Sequence, residues 1–191
     1  MGAAALQLRF SENITGFFPD GERKAAAAFS NLKIKDKIAV MINAGEDAAA
    51  IAAALREMAE CVDTSFVLDT LQYMWKGGRC SGVTALGANL LKLKPCLQMQ
   101  EGKLVVGKKY RGPIDKVYRQ YVAERFEGKD VLPEHVFITH SGGVAQETLD
   151  ALVQQVQQAV PGCEVFITQA GCTVSSHCGP GTLGVLFLHR A

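Results

Sequence analysis

The feature of this sequence that most constrains its fold is the alternation of strand-like and helix-like segments in its last third. HVFITH and EVFIT are short apolar runs with the length of buried strands, and the segment between them, SGGVAQETLDALVQQVQQAV, has apolar residues at helical spacing. TLGVLFL is a further strand-like run near the end of the chain. We expect the helix to begin at Ser141 or at a glycine after it. Such alternation predicts an α/β sheet covered by helices.

Earlier segments show the same alternation. Residues 38–42 have the length of a buried strand, and AGEDAAAIAAALREMAECV has an acidic first turn and high helix propensity. Residues 64–68 return to a strand-like run. A strand, a helix and a strand in this order predict a right-handed parallel crossover.

The segment DTLQYMWKGGR predicts a short helix that ends at one of its glycines. We expect Leu71, Met74 and Trp75 to lie on one side of this helix. A second short helix is predicted near residues 84–91.

Antiparallel pairing is predicted in KPCLQMQEGKLVVGKKYRG, where residues alternate on both sides of Glu101 and Gly102. A helix over residues 113–126 follows, with an inner stripe of Ile114, Val117, Tyr118 and Tyr121. The predicted fold class is therefore α/β, with a mixed sheet that has helices on its faces.

Composition excludes several classes of protein. The chain has 191 residues, enough for one large domain or a domain and a half, with 48% hydrophobic and 20% charged residues. Its net charge of +1 provides no field that would recruit nucleic acid. The longest apolar stretches, at residues 48–55 and 183–188, are shorter than the roughly 20 residues of a membrane span, and the start lacks a secretion signal. We expect a cytoplasmic protein without nucleic-acid partners or transmembrane segments.

The six cysteines are scattered, and no CxxC pair occurs. We expect reduced thiols rather than disulfides. Cys172, His177 and Cys178 have metal-ligating atoms, but their spacing is irregular, so neither a metal site nor a cofactor is predicted.

Two positions suggest catalysis or anion binding. His140 and Ser141 lie where a strand gives way to a helix, a place suited to an anion or a helix cap, and the local string THSGG is not a nucleophile elbow. His177 precedes Cys178, but neighbours in an extended segment point in opposite directions, so adjacency does not make the imidazole a base for the thiol. A hydrolase that uses Cys178 or Ser141 with a histidine is kept as an alternative function.

Arg79 in KGGR and Arg111 in KYRG are candidates for holding an anion, because a guanidinium can bind a carboxylate or phosphate through two parallel hydrogen bonds. For each arginine considered alone, a surface salt bridge is an equal alternative to anion binding.

Four ordered blocks together carry a resemblance to a known family. DTLQYMWKGGR, LLKLKPCLQMQEGKL, KKYRG and SSHCGPGTLGVLF follow the pattern of the DegV family of fatty-acid-binding proteins, over residues 63–188. The resemblance implies a non-catalytic bacterial carrier that holds a long-chain fatty acid between two domains. It also implies a fatty-acid kinase partner and allows transient contact with a membrane.

Site residues are carried over by motif. The resemblance places Ser176, His177 and Thr182 near the acid's head group, and it assigns Arg111 to the head-group end or the kinase-facing surface. Gly179 and Gly181 would let the backbone approach closely. Arg79 matches the GGR block, where fixing the loop is an equal alternative to anion binding.

The sequence departs from the family in two ways. The aspartate–serine–serine and serine-rich blocks of the family's N-terminal domain do not occur before Asp63. We therefore divide the chain into a divergent or truncated N-terminal segment, residues 1–62, and a DegV-like lipid-binding domain, residues 63–191. Cys178 stands where the family has threonine, which replaces a good hydrogen-bonding hydroxyl with a weak thiol. A ligand-free interaction module on the same scaffold is a further alternative.

Overall fold

A computed structural model describes residues 34–77, 93–100 and 103–190. In chain order the elements are α1 Ile34–Asn43, α2 Ala48–Glu60, β1 Val62–Val67, α3 Gln72–Lys76, β2 Leu93–Gln100, β3 Lys103–Arg111, α4 Ile114–Arg125, β4 Val131–His140, α5 Gln146–Ala159, β5 Glu164–Gln169, α6 Cys172–Cys178 and β6 Leu183–His189. The chain groups into two compact units that separate between Leu55 and Arg56, and all these strands belong to the second unit.

The six strands form one sheet in the order β3-β2-β1-β6-β4-β5. β4 and β5 are parallel and are joined by α5, whereas the other neighbouring strands are antiparallel. The predicted antiparallel pairing is present, because β2 and β3 pair from Leu93 with Arg111 to Gln100 with Lys103. The prediction of a mixed α/β sheet is confirmed.

One face of the sheet carries the main core, and we call it the core face. Side chains from α4 and α5 pack there on residues from five strands. The helical members match the predicted stripe of α4: Val117, Tyr118 and Tyr121 are at most 1% exposed, and Ile114 packs at the margin.

Tyr121 is the polar centre of this core. Its hydroxyl donates to the Ser65 carbonyl oxygen at 2.9 Å, and it accepts from the Val185 amide at 3.0 Å. The Ser65 hydroxyl oxygen lies 2.7 Å from the Tyr121 hydroxyl oxygen. Burial raises the pKa of Tyr121, so the phenol stays protonated and can donate. Because Ser65 and Val185 are register partners, this hydroxyl fixes α4 to the junction of β1 and β6.

The opposite side of the sheet is called the second face. A smaller apolar cluster there joins α3 and α6 to β1 and β2 through Leu68, Leu71, Met74, Leu97 and Cys178. Phe66 and Val106 pack against the cluster and are only half-buried. The second face is therefore less completely covered than the core face at these positions.

Two predictions in the first third are wrong. Residues 38–42 lie in α1 rather than in a strand, and Val40 is 65% exposed on that helix. A run of five residues is too short for periodicity to distinguish a strand from a helix. The predicted parallel crossover into β1 is also wrong, because β1 pairs antiparallel with both β2 and β6.

Two further predictions need correction. α5 begins at Gln146, not at Ser141 or its glycines, because Gly142 and Gly143 have φ of +89° and +73°, which a right-handed helix cannot contain. α3 is present as predicted, but Trp75 is 70% exposed, since this single turn presents Leu71 and Met74 inward instead. The helix predicted near residues 84–91 lies outside the described residues.

Within the described ranges, the structure contains no helix with the length and apolarity of a membrane span. None of the cysteines at positions 61, 96, 163, 172 and 178 is in a disulfide.

Tyr121→Phe should destabilise the fold by about 2 to 4 kcal/mol, because it leaves the Val185 amide and the Ser65 carbonyl buried without this partner. Urea unfolding followed by circular dichroism measures the change. Tyr73→Phe is the matched control, since Tyr73 is 38% exposed, and it should change stability by less than about 0.5 kcal/mol. Equal effects of the two substitutions would refute the anchoring role of Tyr121.

Candidate functional site

Strand order and direction bring several strand ends to one edge of the sheet. β1, β3, β4 and β5 end there, and β2 and β6 begin there. The register shows this arrangement, because Leu183 pairs with both Val67 and His140, and Leu93 pairs with Arg111. We call this the site edge.

A glycine-rich bend, residues 179–182, lies at the site edge between α6 and β6. Gly179 ends α6 with φ 79° and ψ 170°, a conformation that is essentially restricted to glycine. Gly181 also has a positive φ, of 71°. His177 and Cys178 were predicted to lie in an extended segment, but they are the last two residues of the helix α6. Adjacent helical residues still do not face each other, so His177 is not directed at Cys178 by adjacency.

Ser141 and Thr182 hold the bend in place. The Ser141 hydroxyl donates to the Gly179 carbonyl and accepts from the Thr182 amide at 3.2 Å. The Thr182 hydroxyl donates to the carbonyls of Cys178 and Gly179 at 3.0 and 3.1 Å. Both hydroxyl protons therefore point to backbone oxygens, and Ser141 links the end of β4 to the bend rather than capping α5.

His177 and Gly179 pack on the neighbouring helix α3 and its end. The ring of His177 approaches Gly77 so closely that a Cβ on Gly77 would overlap it. The ring of Tyr73 covers Gly179 in the same manner. Gly77 and Gly179 thus lie at contacts between the ends of α3 and α6 where no larger residue would fit.

His140 has a defined tautomer at the end of β4. Its Nδ1 accepts a hydrogen bond from the Gly142 amide at 3.1 Å. The neutral ring therefore carries its proton on Nε2, which leaves one N–H group of a half-buried side chain as a donor.

Ser176 is exposed, and its hydroxyl donates to the Thr173 carbonyl of its own helix at 2.9 Å. Ser175, which is not among the predicted site residues, is better buried, and its hydroxyl donates to the Ala170 carbonyl at 3.1 Å. Ser175 therefore ties α6 to the end of β5.

Arg111 lies at the site edge but away from the bend. Tyr110 points into the core face, so the exposed Arg111 beside it points to the second face. Three strand spacings separate β3 from β6, or about 14 Å. The structure therefore brings the predicted residues at the bend together and leaves Arg111 at the far end of the same edge. Arg79 lies outside the described residues.

The structure adds contacts that sequence reasoning missed. The Tyr118 hydroxyl donates to the Gly181 carbonyl at 2.6 Å, from the core face. Burial and the carboxylates of Asp69 and Asp115 raise the pKa of Tyr118, so it stays a donor. Lys94 forms an ion pair with Asp69, whose side chain lies beside Gly181. One sequence feature could have predicted the Tyr118 contact: a tyrosine in a buried helical stripe needs a hydrogen-bond partner for its hydroxyl.

The candidate nucleophiles are not arranged for hydrolysis. Cys178 is 6% exposed and lies in the apolar cluster of the second face. The Ser141 hydroxyl is engaged by backbone groups of the bend, as described above. In the part of the chain that the structure describes, histidine, cysteine and carboxylate side chains form no group of three able to hold a metal ion. The arrangement can orient an anion with imidazole N–H groups, and an apolar face adjoins it.

Comparison with known proteins gives a consistent result. The model of the family described as "Uncharacterised protein, DegV family" matches residues 28–190. A DegV domain-containing protein of Streptomyces coelicolor is 30% identical over 128 residues, which are 65% of this chain and 44% of the relative. The fatty acid-binding protein of Thermotoga maritima is 27% identical over 122 residues, which are 62% of this chain and 41% of the relative. The chain spans about half the length of the curated relatives it matches.

Solved structures share the fold. The structure that describes fatty acid binding by a DegV family protein of Thermus thermophilus matches with a TM-score of 0.66 and 27% identity, over 82% of this chain and 56% of that one. The fatty acid kinase B3 protein of Streptococcus pneumoniae, solved with linoleic acid, matches with a TM-score of 0.68 and 18% identity, over 82% of this chain and 55% of that one. The second likeness shows the fold alone.

Gly179→Ala should destabilise the protein by about 2 to 4 kcal/mol, because the new methyl group meets the Tyr73 ring and the backbone angle is strained. Gly162→Ala is the matched control, since Gly162 has φ +82° and nothing within 4 Å of a Cβ, and it should cost about 1 kcal/mol. Thermal and urea unfolding measure both. If Gly162→Ala cost as much as Gly179→Ala, the packing of Tyr73 on the bend would be refuted.

An electrophilic thiol probe should label the exposed Cys172 well before the buried Cys178 in the folded protein. Mass spectrometry of peptides after timed labelling measures the order. Rapid labelling of Cys178 that a Cys178→Ser variant removes would instead favour the thiol-hydrolase alternative.

Proposed function

The chain belongs to the DegV family, and we propose that it is a non-catalytic carrier that binds one long-chain fatty acid. The acid's carboxylate lies at the site edge beside the glycine-rich bend, and its hydrocarbon tail runs along the second face of the sheet. The observation that carries the proposal is the direct adjacency of the two surfaces, since Cys178, the last residue before the bend, is itself a member of the apolar cluster of the second face.

The tail supplies most of the affinity. A sixteen-carbon chain that leaves water gains on the order of 10 kcal/mol, at ~0.8 kcal/mol for each CH₂ group. Half-buried side chains on the second face, Phe66 and Val106 among them, are the apolar surface that the tail would cover. A few polar groups then suffice to set its orientation.

The head group needs donors, because a desolvated carboxylate without partners is strongly disfavoured. His177, beside the bend, is proposed as the principal donor, and the Nε2–H group of His140 is a second one. Ser176 and Thr182 remain proposals that require their hydroxyls to turn from their present backbone acceptors. The resemblance adds Arg111 at the far end of the site edge.

Presentation of the bound acid to a fatty-acid kinase is the finer part of the proposal. Its support is the family membership, together with the match to the Streptococcus pneumoniae kinase B3 protein, which indicates a shared fold. The exposed position of Arg111 suits a group that contacts a partner or a transferred phosphoryl group. The division between a divergent segment of residues 1–62 and a lipid-binding domain of residues 63–191 remains part of this proposal.

Native mass spectrometry of freshly purified protein should show a mass increment equal to one fatty acid. His177→Ala should weaken retention roughly 10- to 100-fold, as expected for loss of one hydrogen bond to a charged group. His189→Ala is the matched control, because the half-buried His189 lies at the end of β6 that is farthest from the bend, and this variant should retain the acid. Arg111→Ala is compared with Arg119→Ala, an exposed arginine on α4.

A wild-type protein without any bound acid, even after incubation with palmitate, would refute lipid binding. Retention that is unchanged in both His177→Ala and Arg111→Ala would refute the assignment of the head-group end while leaving lipid binding itself intact.

A further inference from the structure

The two outermost strands of the sheet, β3 and β5, differ in how well they are protected against pairing with another strand. These edge strands are distinct from the site edge, which is formed by strand ends. β3 forms one edge, and its register with β2 is interrupted by a bulge between Pro95 and Leu97. Lys108 and Lys109 are exposed on this strand. Bulges and exposed lysines are the usual protection of an edge strand.

β5 forms the other edge and has neither feature. Its sequence, EVFITQ, contains no lysine and no proline, and its register with β4 is continuous. Ile167 in the middle of the strand is 39% exposed. An apolar edge strand of this kind is a template for a further strand.

The backbone direction of β5 defines which groups face outward. The Ala170 amide donates to the His140 carbonyl of β4, so by alternation Val165, Ile167 and Gln169 direct their N–H and C=O groups away from β4. Across residues 34–77, 93–100 and 103–190, no strand pairs with that side of β5.

The helix that packs beside β5 is also poor in charge. α5 has two charged residues, Glu147 and Asp150, among its 14 residues, and none in its last two turns. α4, of 12 residues, has five: Asp115, Lys116, Arg119, Glu124 and Arg125. Depletion of charged residues is the compositional mark of an interface core.

We propose that β5 pairs in antiparallel orientation with β5 of a second copy of this chain, with Ile167 on the two-fold axis. This register places Val165 opposite Gln169 of the other copy, and it uses every outward backbone group of the strand in about six hydrogen bonds. Antiparallel self-pairing is the isologous arrangement that closes as a dimer.

Charge and side-chain complementarity favour β5 of a second copy as the strand that pairs here. The two Ile167 side chains meet on the core face, and Phe166 meets Thr168 on the second face. Glu164, the only charged residue of β5, lies opposite Ala170 of the other copy, so no like charges face each other.

The dimer leaves the lipid site independent. Antiparallel pairing places the site edges of the two copies at opposite ends of a continuous sheet, so neither bend contacts the other copy. Dimer formation can therefore be tested separately from fatty-acid binding.

Sedimentation velocity between about 10 and 500 µM tests the proposal, a range suited to a small strand interface. Wild-type protein should shift from the mass of one chain, 20.5 kDa, towards twice that mass. Ile167→Lys should weaken association at least about tenfold, because two lysines would meet on the axis. Leu104→Lys is the matched control, since Leu104 is 40% exposed on the other edge strand, and it should dimerise like wild type.

A wild-type protein that keeps the mass of one chain throughout this range overturns the proposal, as would be seen if another segment of the same chain covered β5. Equal weakening by Ile167→Lys and Leu104→Lys also overturns it. Ile167→Lys should retain fatty acid as the wild type does.

Cross-linking tests the register in a Cys172→Ser background, which removes the thiol that is exposed among the described cysteines. Ile167→Cys should form a disulfide-linked dimer on mild oxidation, because the Cα atoms of a hydrogen-bonded pair are about 5.5 Å apart, within the range of a disulfide. Leu104→Cys should not. Cross-linking of Leu104→Cys alone would contradict the pairing.

Discussion

The fold depends on the insertion of the last strand, β6, between β1 and β4. This strand pairs antiparallel with both neighbours, and without it the sheet would separate into the three strands β3-β2-β1 and the pair β4-β5. Leu183, Val185 and Phe187 are completely buried on the core face. The Tyr121 hydroxyl bridges the same strand to β1 and to α4. The non-local pairing of β6 therefore joins the two parts of the sheet.

The candidate site depends on the same strand, because the glycine-rich bend leads directly into it. Leu183 begins β6 and pairs with the ends of β1 and β4, which fixes the bend at the site edge. Contacts from both sides then restrain it: Tyr118 from the core face, Tyr73 from α3, and Ser141 from the end of β4. Most polar groups near the bend thus maintain its shape. In the proposed carrier, the carboxylate would therefore be bound by the imidazole N–H groups of His177 and His140.

Much of the architecture could be predicted from the sequence, because periodicity is strong where a segment packs on one face only. The stripe of α4 and the hairpin of β2 and β3 are examples, as are the strands on either side of α5. Residues 38–42 could not be assigned from periodicity, since so short an apolar run suits a helix or a strand equally. α6 was also missed, because serine, threonine and cysteine favour helix only weakly and its stability comes from packing on α3.

The sequence predicted the position of the candidate site more accurately than the contacts that its residues make. The motif resemblance selected Ser176 and His177 before the bend and Thr182 within it, but it could not show that the Thr182 hydroxyl donates to backbone carbonyls. Nor could periodicity show that Tyr118, a core residue by position, holds Gly181 through its hydroxyl. Both facts arise from long-range contacts, which no local pattern encodes.

The central claim is that a fatty acid lies with its carboxylate at the bend and its tail on the second face. Paramagnetic broadening of amide signals by spin-labelled stearic acids measures this arrangement directly. A label near the carboxylate should broaden the amides of Gly179 and Gly181, and a label near the tail should broaden those of Phe66 and Phe137. Broadening by the tail label at Val122 and Val156 in the core instead, or no broadening at the bend by either label, would contradict the account.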